Sequence, residues 1–418
     1  MRKIRAMSAS TRGTHGTLCY TSSMRRIPPV LLTLLLFAWL LSGCEVPKPP
    51  PELPTATPGS SNPESPNFQA GHTPVRIEAD RGYTPVPSAP GAIFFVRSSG
   101  LWRIDPDGSD EAQLAPMTVT NPPEPSPDGR LVAFTTSDGV YVVSATGGEP
   151  RKLAAGQIAD GQRLGWTPDG RLVGYFTVDP ETMGKEVAWA VPVEGGDPVR
   201  VLELTGSPVS RGPVYQKSVR WSPDGLFVVV SGANNPFWLL RWPLSTGRDG
   251  DIRRIPGGEP EWSPDGRTIM YAETLSGALL VYGVLEAEAT PFRNELRYIG
   301  TGLGEYAQGP GPRFSPASTG ADSDLIAFRS RTQQGEPQAA IRRRSVGELE
   351  PLPPFTNNPA WSPGGDRLVV ETGYLKAAPF GPRWTPTGLS IARLSLSEGQ
   401  PHQMFRLVED AMWPAWGK

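Results

Sequence analysis

From about residue 91 to the C-terminus, short apolar segments alternate with turns that are rich in glycine and proline. Examples are "LVAF" at 131–134, "VYVVS" at 140–144 and "RKLA" at 151–154, with the turn "ATGGEP" at 145–150 between the last two. Runs of four to six residues bounded by Gly, Pro and Asp are typical of strands in an all-β protein. The pattern therefore predicts antiparallel strands joined by tight turns.

One turn motif, Ser/Thr-Pro-Asp-Gly, recurs along this region and usually follows a tryptophan. Its first residues are separated by 41, 55, 41, 52 and 47 residues; they are Ser126, Thr167, Ser222, Ser263, Ser315 and Ser362. Proline sets φ near −65°, the aspartate can cap the backbone, and glycine accepts the exit conformation. Four short strands per period of this length predict one propeller blade, and six periods predict six blades.

The tryptophans before the turns are predicted to fill the gaps between neighbouring blades, because an aromatic side chain buries about 150–250 Å². Phe314 takes this place in the fifth unit, where the turn is longer. The structural residues that we assign to the repeat are Ser126, Asp128, Gly129, Trp166, Asp169, Gly170, Trp221, Asp224, Gly225, Trp262, Asp265, Gly266, Trp361, Gly365 and Trp416.

Two incomplete units flank the six complete ones. Before the first unit, residues 92–96, 101–105 and 112–115 supply three outer strands, and after the last unit residues 412–418 supply an innermost strand. A circular array of sheets leaves blade edges exposed unless its ends are joined. We therefore predict a seven-bladed β-propeller of four-stranded antiparallel blades, closed by N- and C-terminal strands that share one blade.

The N-terminal region has the features of a secretory signal. Arg25 and Arg26 precede the apolar run Val30–Leu41, which is shorter than the roughly 20 residues of a transmembrane helix. The sequence Leu-Ser-Gly-Cys that follows resembles the lipobox of bacterial lipoproteins. The resemblance implies cleavage before Cys44 and lipid attachment to that cysteine, which would hold the protein at the cell membrane outside the cytoplasm. Translation starts either at Met1 or at Met24.

Residues 44–90 are predicted to be an extended spacer after the signal peptide at 1–43 and before the propeller at 91–418. Twelve prolines lie between Glu45 and Pro90, among Ser, Thr, Gly and Glu. Such a composition does not bury enough apolar surface to offset the entropy of ordering. In polyproline form, at about 3.1 Å per residue, the spacer would reach on the order of 100 Å. The segment "VRIEA" at 75–79 is an alternative docked strand.

The repeat resembles the WD40-like propeller repeat of the TolB family over roughly residues 90–418. The chain differs from TolB in having a lipid anchor and spacer where TolB has a mixed α/β domain. The resemblance therefore implies the propeller fold but no particular activity, and it does not imply the Tol–Pal partnership.

Loop lengths vary mainly on the face opposite the Ser-Pro-Asp-Gly turns, which we name the elaborated face. Its long loops are at 177–185, 204–218, 296–310, 330–338 and 372–388. Function usually resides in such loops on a rigid scaffold, so this face is the predicted partner face. The candidate partner residues are Tyr298, Tyr306, Tyr374, Phe380 and Trp384, whose alternative role is packing of the loops on themselves.

Motifs for catalysis are scarce, and we assign no catalytic residue, metal site or cofactor. Of three histidines only His402 falls in the propeller, where we expect it at a blade surface, and the acidic run at 105–111 fits a β-turn better than a calcium loop. A net charge of −2 disfavours nucleic-acid binding. We expect a monomeric, non-catalytic binding or scaffold module for a protein, peptide or glycan. The alternatives are a carbohydrate-active hydrolase or lyase with channel carboxylates, and a structural subunit of an envelope complex.

Overall fold

The structure is a computed structural model of the chain. It describes residues 90–179, 185–204, 217–232, 236–243, 252–272, 279–284, 313–316, 325–332, 334, 336–343, 349–377, 383–394 and 402–418. All regular elements in these ranges are β-strands, and the search of the same ranges for an apolar helix of membrane-spanning length found none. The predicted signal peptide, Cys44 and the spacer lie outside the described residues.

The described strands form seven sheets, which confirms the predicted all-β, seven-bladed propeller. The first fourteen strands are β1 (Ile93–Arg97), β2 (Gly100–Ile104), β3 (Ala112–Ala115), β4 (Glu124–Pro125), β5 (Leu131–Thr136), β6 (Gly139–Ser144), β7 (Arg151–Ala155), β8 (Gln162–Arg163), β9 (Gly165–Trp166), β10 (Leu172–Asp179), β11 (Lys185–Pro192), β12 (Val199–Leu204), β13 (Lys217–Trp221) and β14 (Phe227–Ser231). The other fourteen are β15 (Phe237–Arg241), β16 (Ile252–Ile255), β17 (Gly258–Trp262), β18 (Thr268–Ala272), β19 (Leu279–Gly283), β20 (Arg313–Phe314), β21 (Leu325–Arg331), β22 (Pro337–Arg343), β23 (Leu349–Pro354), β24 (Thr356–Trp361), β25 (Arg367–Lys376), β26 (Arg383–Arg393), β27 (Gln403–Glu409) and β28 (Ala411–Trp416).

Chain order assigns the strands to blades. Blade 1 is β4–β7, blade 2 is β9–β12, blade 3 is β13–β16, blade 5 is β20–β23 and blade 6 is β24–β27. Three strands of blade 4, β17–β19, lie in the described residues. The two-residue strand β8 directly precedes β9 of blade 2 in the chain and pairs in parallel with β13 of blade 3, so it links blade 2 to blade 3. In blades 1 to 6 the lowest-numbered strand precedes the turn motif and is innermost.

Blade 7 combines both ends of the described chain, as predicted. Strand β28 pairs antiparallel with β1, with Ile93 opposite Trp416 and Arg97 opposite Ala411. The Gly417 N–H donates to Ala92 O at 2.9 Å, and Trp416 Nε1 donates to Pro90 O at 3.2 Å. The ring is therefore closed by main-chain hydrogen bonds between distant parts of the sequence.

The core is divided among the gaps between blades. Each of seven buried apolar clusters combines residues of two neighbouring blades. The repeat tryptophans lie in these gaps, at most 8% exposed. Three of them also donate Nε1–H to a carbonyl of the preceding blade, at 3.0–3.1 Å: Trp166 to Glu124 O, Trp262 to Arg220 O, and Trp361 to Arg313 O. Blades 2, 4 and 6 are thus fastened to their predecessors by apolar burial and a specific hydrogen bond.

The repeat turns of blades 1 to 4 share one hydrogen-bond pattern, shown by the turn of blade 3. Ser222 Oγ donates to Asp224 Oδ1 at 2.5 Å and accepts from the Phe227 N–H at 2.9 Å. The Leu226 N–H also donates to Asp224 Oδ1, at 3.0 Å, and Gly225 has a left-handed φ of 74°. Each of these four turns is therefore closed by its own serine or threonine and its own aspartate, and it positions the innermost strand against the next.

The structure corrects two expectations. Residues 372–388 were expected to form a loop, but strands β25 and β26 continue as a paired hairpin up to Lys376 and Arg383. Glycine at 373 permits this close pairing, because a Cβ there would lie 2.3 Å from Thr385 O. His402 was expected at a blade surface, but its side chain is 8% exposed and lies 3.5 Å from Glu350. The pKa of His402 is lowered by burial, partly offset by Glu350.

Candidate functional site

The most distinctive chemistry of the described residues lies on the innermost strands, around the central channel. We name the residue before the aromatic position of each blade the pre-turn residue. From blade 1 to blade 7 the pre-turn residues are Glu124, Gly165, Arg220, Glu261, Arg313, Ala360 and Ala415. Blades 1, 3, 4 and 5 thus contribute charges, whereas blades 2, 6 and 7 contribute small residues.

Two carboxylates and two guanidiniums form a closed ion-paired group, which we name the charged quartet. Arg163 donates through Nε and Nη2 to Glu124 at 3.1 and 3.3 Å, and through Nη1 to Glu261 at 3.3 Å. Arg220 donates through Nη1 to Glu124 at 3.0 Å, and its Nη2 lies 3.6 Å from Glu261 Oε2. Each carboxylate therefore faces both guanidiniums.

The quartet lies across the channel axis. Its members come from blades 1, 2, 3 and 4, and Glu124 of blade 1 contacts Arg220 of blade 3. Because blades 1 and 3 are not neighbours in the ring, their side chains meet only near the axis. The quartet side chains are 8–24% exposed, so the group is largely shielded from solvent.

The charged residue of blade 2 is Arg163, which stands two positions before the pre-turn residue Gly165. A Cβ at Gly165 would lie 1.9 Å from Val219 O, so the close approach of β9 to β13 leaves room only for glycine at the pre-turn position. The preceding strand β8 pairs in parallel with β13, which places Arg163 opposite Ser218. Arg163 consequently reaches the channel from β8 and completes the quartet.

Burial dominates the electrostatics of Glu261. It raises the pKa of the Glu261 carboxyl above its usual range, even though Arg220 and Arg313 act to lower it. Desolvation disfavours the charged form of any acid or base, and opposite charges restore it only in part. The Glu261 carboxyl therefore protonates more readily than an exposed glutamate does.

Arg313, at the pre-turn position of blade 5, lies beside the quartet without joining its hydrogen bonds. The charges that act on it are Glu124, Glu261 and Arg220, and burial lowers the pKa of its guanidinium. Its Nε is buried and has no hydrogen-bond partner among the described residues.

A second buried carboxylate, Glu371 on β25, is 1% exposed and links blade 6 to blade 7. Its oxygens accept the Trp413 N–H at 2.7 Å and Trp384 Nε1–H at 2.8 Å. Burial raises the pKa of Glu371, and hydrogen bonds from Asn358, Trp413 and Trp384 oppose that rise. This carboxylate is committed to internal contacts of the fold.

The predicted partner residues are only partly within the described residues. Tyr374 and Trp384 lie on the β25–β26 hairpin, where Tyr374 is opposite Thr385 and Leu375 is opposite Trp384. Both aromatic residues are half-buried, and the indole of Trp384 is directed to Glu371. Tyr298, Tyr306 and Phe380 lie outside the described residues, so the aromatic patch stays a prediction.

Within the described ranges, no three His, Cys, Asp or Glu side chains are grouped as metal ligands. The acidic run at 105–111 forms the turn between β2 and β3, where the Gly108 N–H donates to Asp105 O at 2.9 Å. Asp107 accepts from Ser109 Oγ at 2.6 Å, and this bond, with the Ser109 N–H, lowers the pKa of Asp107.

Sequence reasoning missed the charged quartet because the residues that contact each other in it are separated by up to 98 positions in the sequence. A signal was nevertheless present. Glu, Arg, Glu and Arg stand directly before the aromatic or proline position in four of the repeats. Aligning the repeats on their turns would have placed Glu124, Arg220 and Glu261 of the quartet, together with Arg313, at one level of the channel, whereas Arg163 lies outside this alignment.

No protein-family model matches the chain. Tricorn protease homolog 1 of Streptomyces coelicolor is 30% identical over 126 residues, which are 29% of this chain and 12% of that protein. Uncharacterized protein Atu1656 of Agrobacterium fabrum is 24% identical over 263 residues, which are 59% of this chain and 82% of that protein. The chain thus matches only a small part of the first relative and most of the second.

Among solved structures, the periplasmic gluconolactonase PpgL of Pseudomonas aeruginosa has a TM-score of 0.51 and 18% identity, covering 78% of this chain and 99% of that one. An oligogalacturonate lyase in complex with manganese has a TM-score of 0.50 and 13% identity, covering 71% and 83%. TolB of Acinetobacter baumannii has a TM-score of 0.44 and 15% identity, covering 78% and 66%. The first two similarities show the shared propeller fold.

Proposed function

We propose that this protein is a lipid-anchored, extracytoplasmic propeller that binds a protein, peptide or glycan without catalysing a reaction on it. Cys44 would hold the protein at the membrane, and the proline-rich spacer would carry the propeller away from the lipid surface. The elaborated face would meet the partner, because that face has the most variable loops in the sequence.

The observation that supports a non-catalytic role is the state of the channel carboxylates. Glu124 and Glu261 are both engaged by Arg163 and Arg220. A general base or nucleophile needs an oxygen within reach of the substrate, whereas the oxygens of these carboxylates are occupied by ion pairs with guanidiniums. The quartet fits a scaffold that joins blades 1 to 4 better than it fits a reaction centre.

The alternative is a carbohydrate-active hydrolase or lyase, and one observation favours it. Burial raises the pKa of Glu261, and a raised pKa is a property of general acids in glycoside hydrolysis. Propellers of this fold include a lyase and a lactonase by name, so the fold itself accommodates either role. A binding module leaves its ligand chemically unchanged, whereas a hydrolase or lyase converts the ligand into a product.

The test uses site-specific photo-crosslinking in intact cells. A crosslinking residue replaces Lys376, which is exposed at the end of β25 on the elaborated face, and the control replaces Arg171, which is 83% exposed next to a repeat turn. We expect a defined adduct from position 376 and none from position 171. In the same cells, Cys44→Ser should move the protein out of the membrane fraction.

Binding and catalysis are then separated with the captured partner. A binding module leaves the mass of the partner unchanged and retains capture in Glu124→Gln and Glu261→Gln, provided that each variant stays folded. A product that forms with the native protein and disappears in either variant would favour the enzyme. A stoichiometric complex that survives purification would favour the permanent structural subunit.

A further inference from the structure

Arg163 and the charged pre-turn residues together carry more positive than negative charge. Three guanidiniums, those of Arg163, Arg220 and Arg313, act on two carboxylates, those of Glu124 and Glu261. With all five groups ionised, the sum is +3 − 2, or one excess positive charge. The quartet is neutral by itself, so the excess belongs to Arg313.

One hydrogen-bond donor of Arg313 is also unused. Its Nε is shielded from solvent and has no hydrogen-bond partner in the described part of the chain. Burial, the largest effect, lowers the pKa of the guanidinium, as does Arg220, while Glu124 and Glu261 oppose that fall. A shielded donor of a cation is destabilising unless an anion or a polar group accepts its hydrogen bond.

The geometry of the guanidinium indicates the kind of anion. Its planar fork presents parallel N–H donors that match the two oxygens of a carboxylate, and such charge-assisted pairs are stronger than neutral hydrogen bonds. Arg163 and Arg220 are already committed to the quartet. A carboxylate that enters the channel therefore finds its free partner at Arg313.

We propose that the propeller channel is a binding site for a single carboxylate group of a ligand, with Arg313 as the residue that pairs with it. Glu261 would set the charge of the site, since it lies next to Arg313 and repels a second anion. The proposal goes beyond partner docking at the elaborated face and does not depend on that docking.

The experiment measures the affinity of the full chain, in a neutral detergent, for two carboxylates by calorimetry. The acids are D-glucuronate and N-acetyl-L-glutamate, and their uncharged counterparts are D-glucose and N-acetyl-L-glutamine. We expect at least one acid to bind more tightly than its counterpart. Whichever acid binds better indicates whether the carboxylate comes from an acidic sugar or an acidic peptide.

Variants assign the binding to the channel. Arg313→Gln should weaken binding of the acid about 10- to 100-fold, the range expected for losing a hydrogen bond to a charged group. Glu261→Gln should tighten it, because a neighbouring negative charge is removed. Arg171→Gln, the same change at an exposed turn position, should leave the affinity unchanged.

Folding of the variant is checked without ligand. Because Arg313 is an under-compensated buried cation, Arg313→Gln should melt at the same temperature as the native protein or higher. The proposal is overturned if neither acid binds better than its counterpart, if Arg313→Gln binds equally well, or if Glu261→Gln weakens binding. A large fall in the melting temperature of Arg313→Gln would also overturn it by showing that Arg313 is structural.

Discussion

At the scale of single residues, each repeat turn depends on one serine–aspartate pair. The aspartate is at the third position of the turn in blades 1 to 4, where it accepts from the serine or threonine at 2.5–2.6 Å. Blade 6 has Gly364 at that position, and Asp366, two residues later, accepts from Ser362 at 3.0 Å instead. The interaction is preserved although the motif has changed, which indicates that the fold requires the hydrogen bond.

The turn of blade 3 allows a direct test. Asp224→Ala removes the acceptor of both Ser222 Oγ and the Leu226 N–H, so we expect the free energy of unfolding to fall by about 1–2 kcal/mol. Asp224→Asn keeps a carbonyl oxygen at the same place and should cost less than half as much. Urea denaturation of the two variants measures the difference. Equal stability of Asp224→Ala and the native protein would contradict this role.

At the scale of strands, three innermost strands contain the same irregularity. Glu259, Asn358 and Trp413 stand three residues before the blade tryptophan, have positive φ values of 54°, 45° and 55°, and each precede a proline. The register of pairing shifts beside all three. A non-glycine residue in the left-handed region costs roughly 1–3 kcal/mol unless its surroundings stabilise it. In β28 that stabilisation includes the hydrogen bond from the Trp413 N–H to Glu371.

Glu371→Gln tests this support for the closing strand. The amide offers one acceptor oxygen to two N–H donors, those of Trp413 and Trp384, so near pH 4 we expect a loss of about 1–3 kcal/mol. Burial raises the pKa of Glu371 in the folded state. The contribution of Glu371 to the stability of the folded protein is therefore fully present below the unfolded pKa of about 4.3, and it is lost as the pH rises through the folded pKa.

The difference in stability between the native protein and Glu371→Gln should therefore become smaller as the pH rises above about 4.3. Thermal melts of both proteins over this range measure it. Glu350→Gln is the matched control, since Glu350 is an acid of the neighbouring blade 5 with a side chain that is 29% exposed. A difference that widened with pH would contradict the burial-dominated pKa.

At the scale of the whole molecule, the ring was predictable because its signals are local. A turn motif within five residues sets the period, and the two incomplete units predict the shared blade. The quartet was not predictable in the same way, because its contacts depend on where four blades meet around one axis. The β25–β26 extension was missed for a different reason. Gly373 is typical of a loop by residue type, whereas it lies where a Cβ would be 2.3 Å from Thr385 O of the paired strand.

Because β28 closes the ring, deletion of residues 412–418 is predicted to destabilise the whole fold. The deletion removes most of the innermost strand of blade 7 and the buried side chain of Trp416. At about 25 cal/mol per Å² over 150–250 Å², burial of one tryptophan alone contributes about 4–6 kcal/mol, and a typical domain is stable by only about 5–15 kcal/mol. We therefore expect cooperative opening of the ring and a large fall in melting temperature.

A deletion of equal length in the predicted spacer, residues 50–56, should leave the melting temperature unchanged. If the two deletions melted alike, the shared blade would not hold the ring closed.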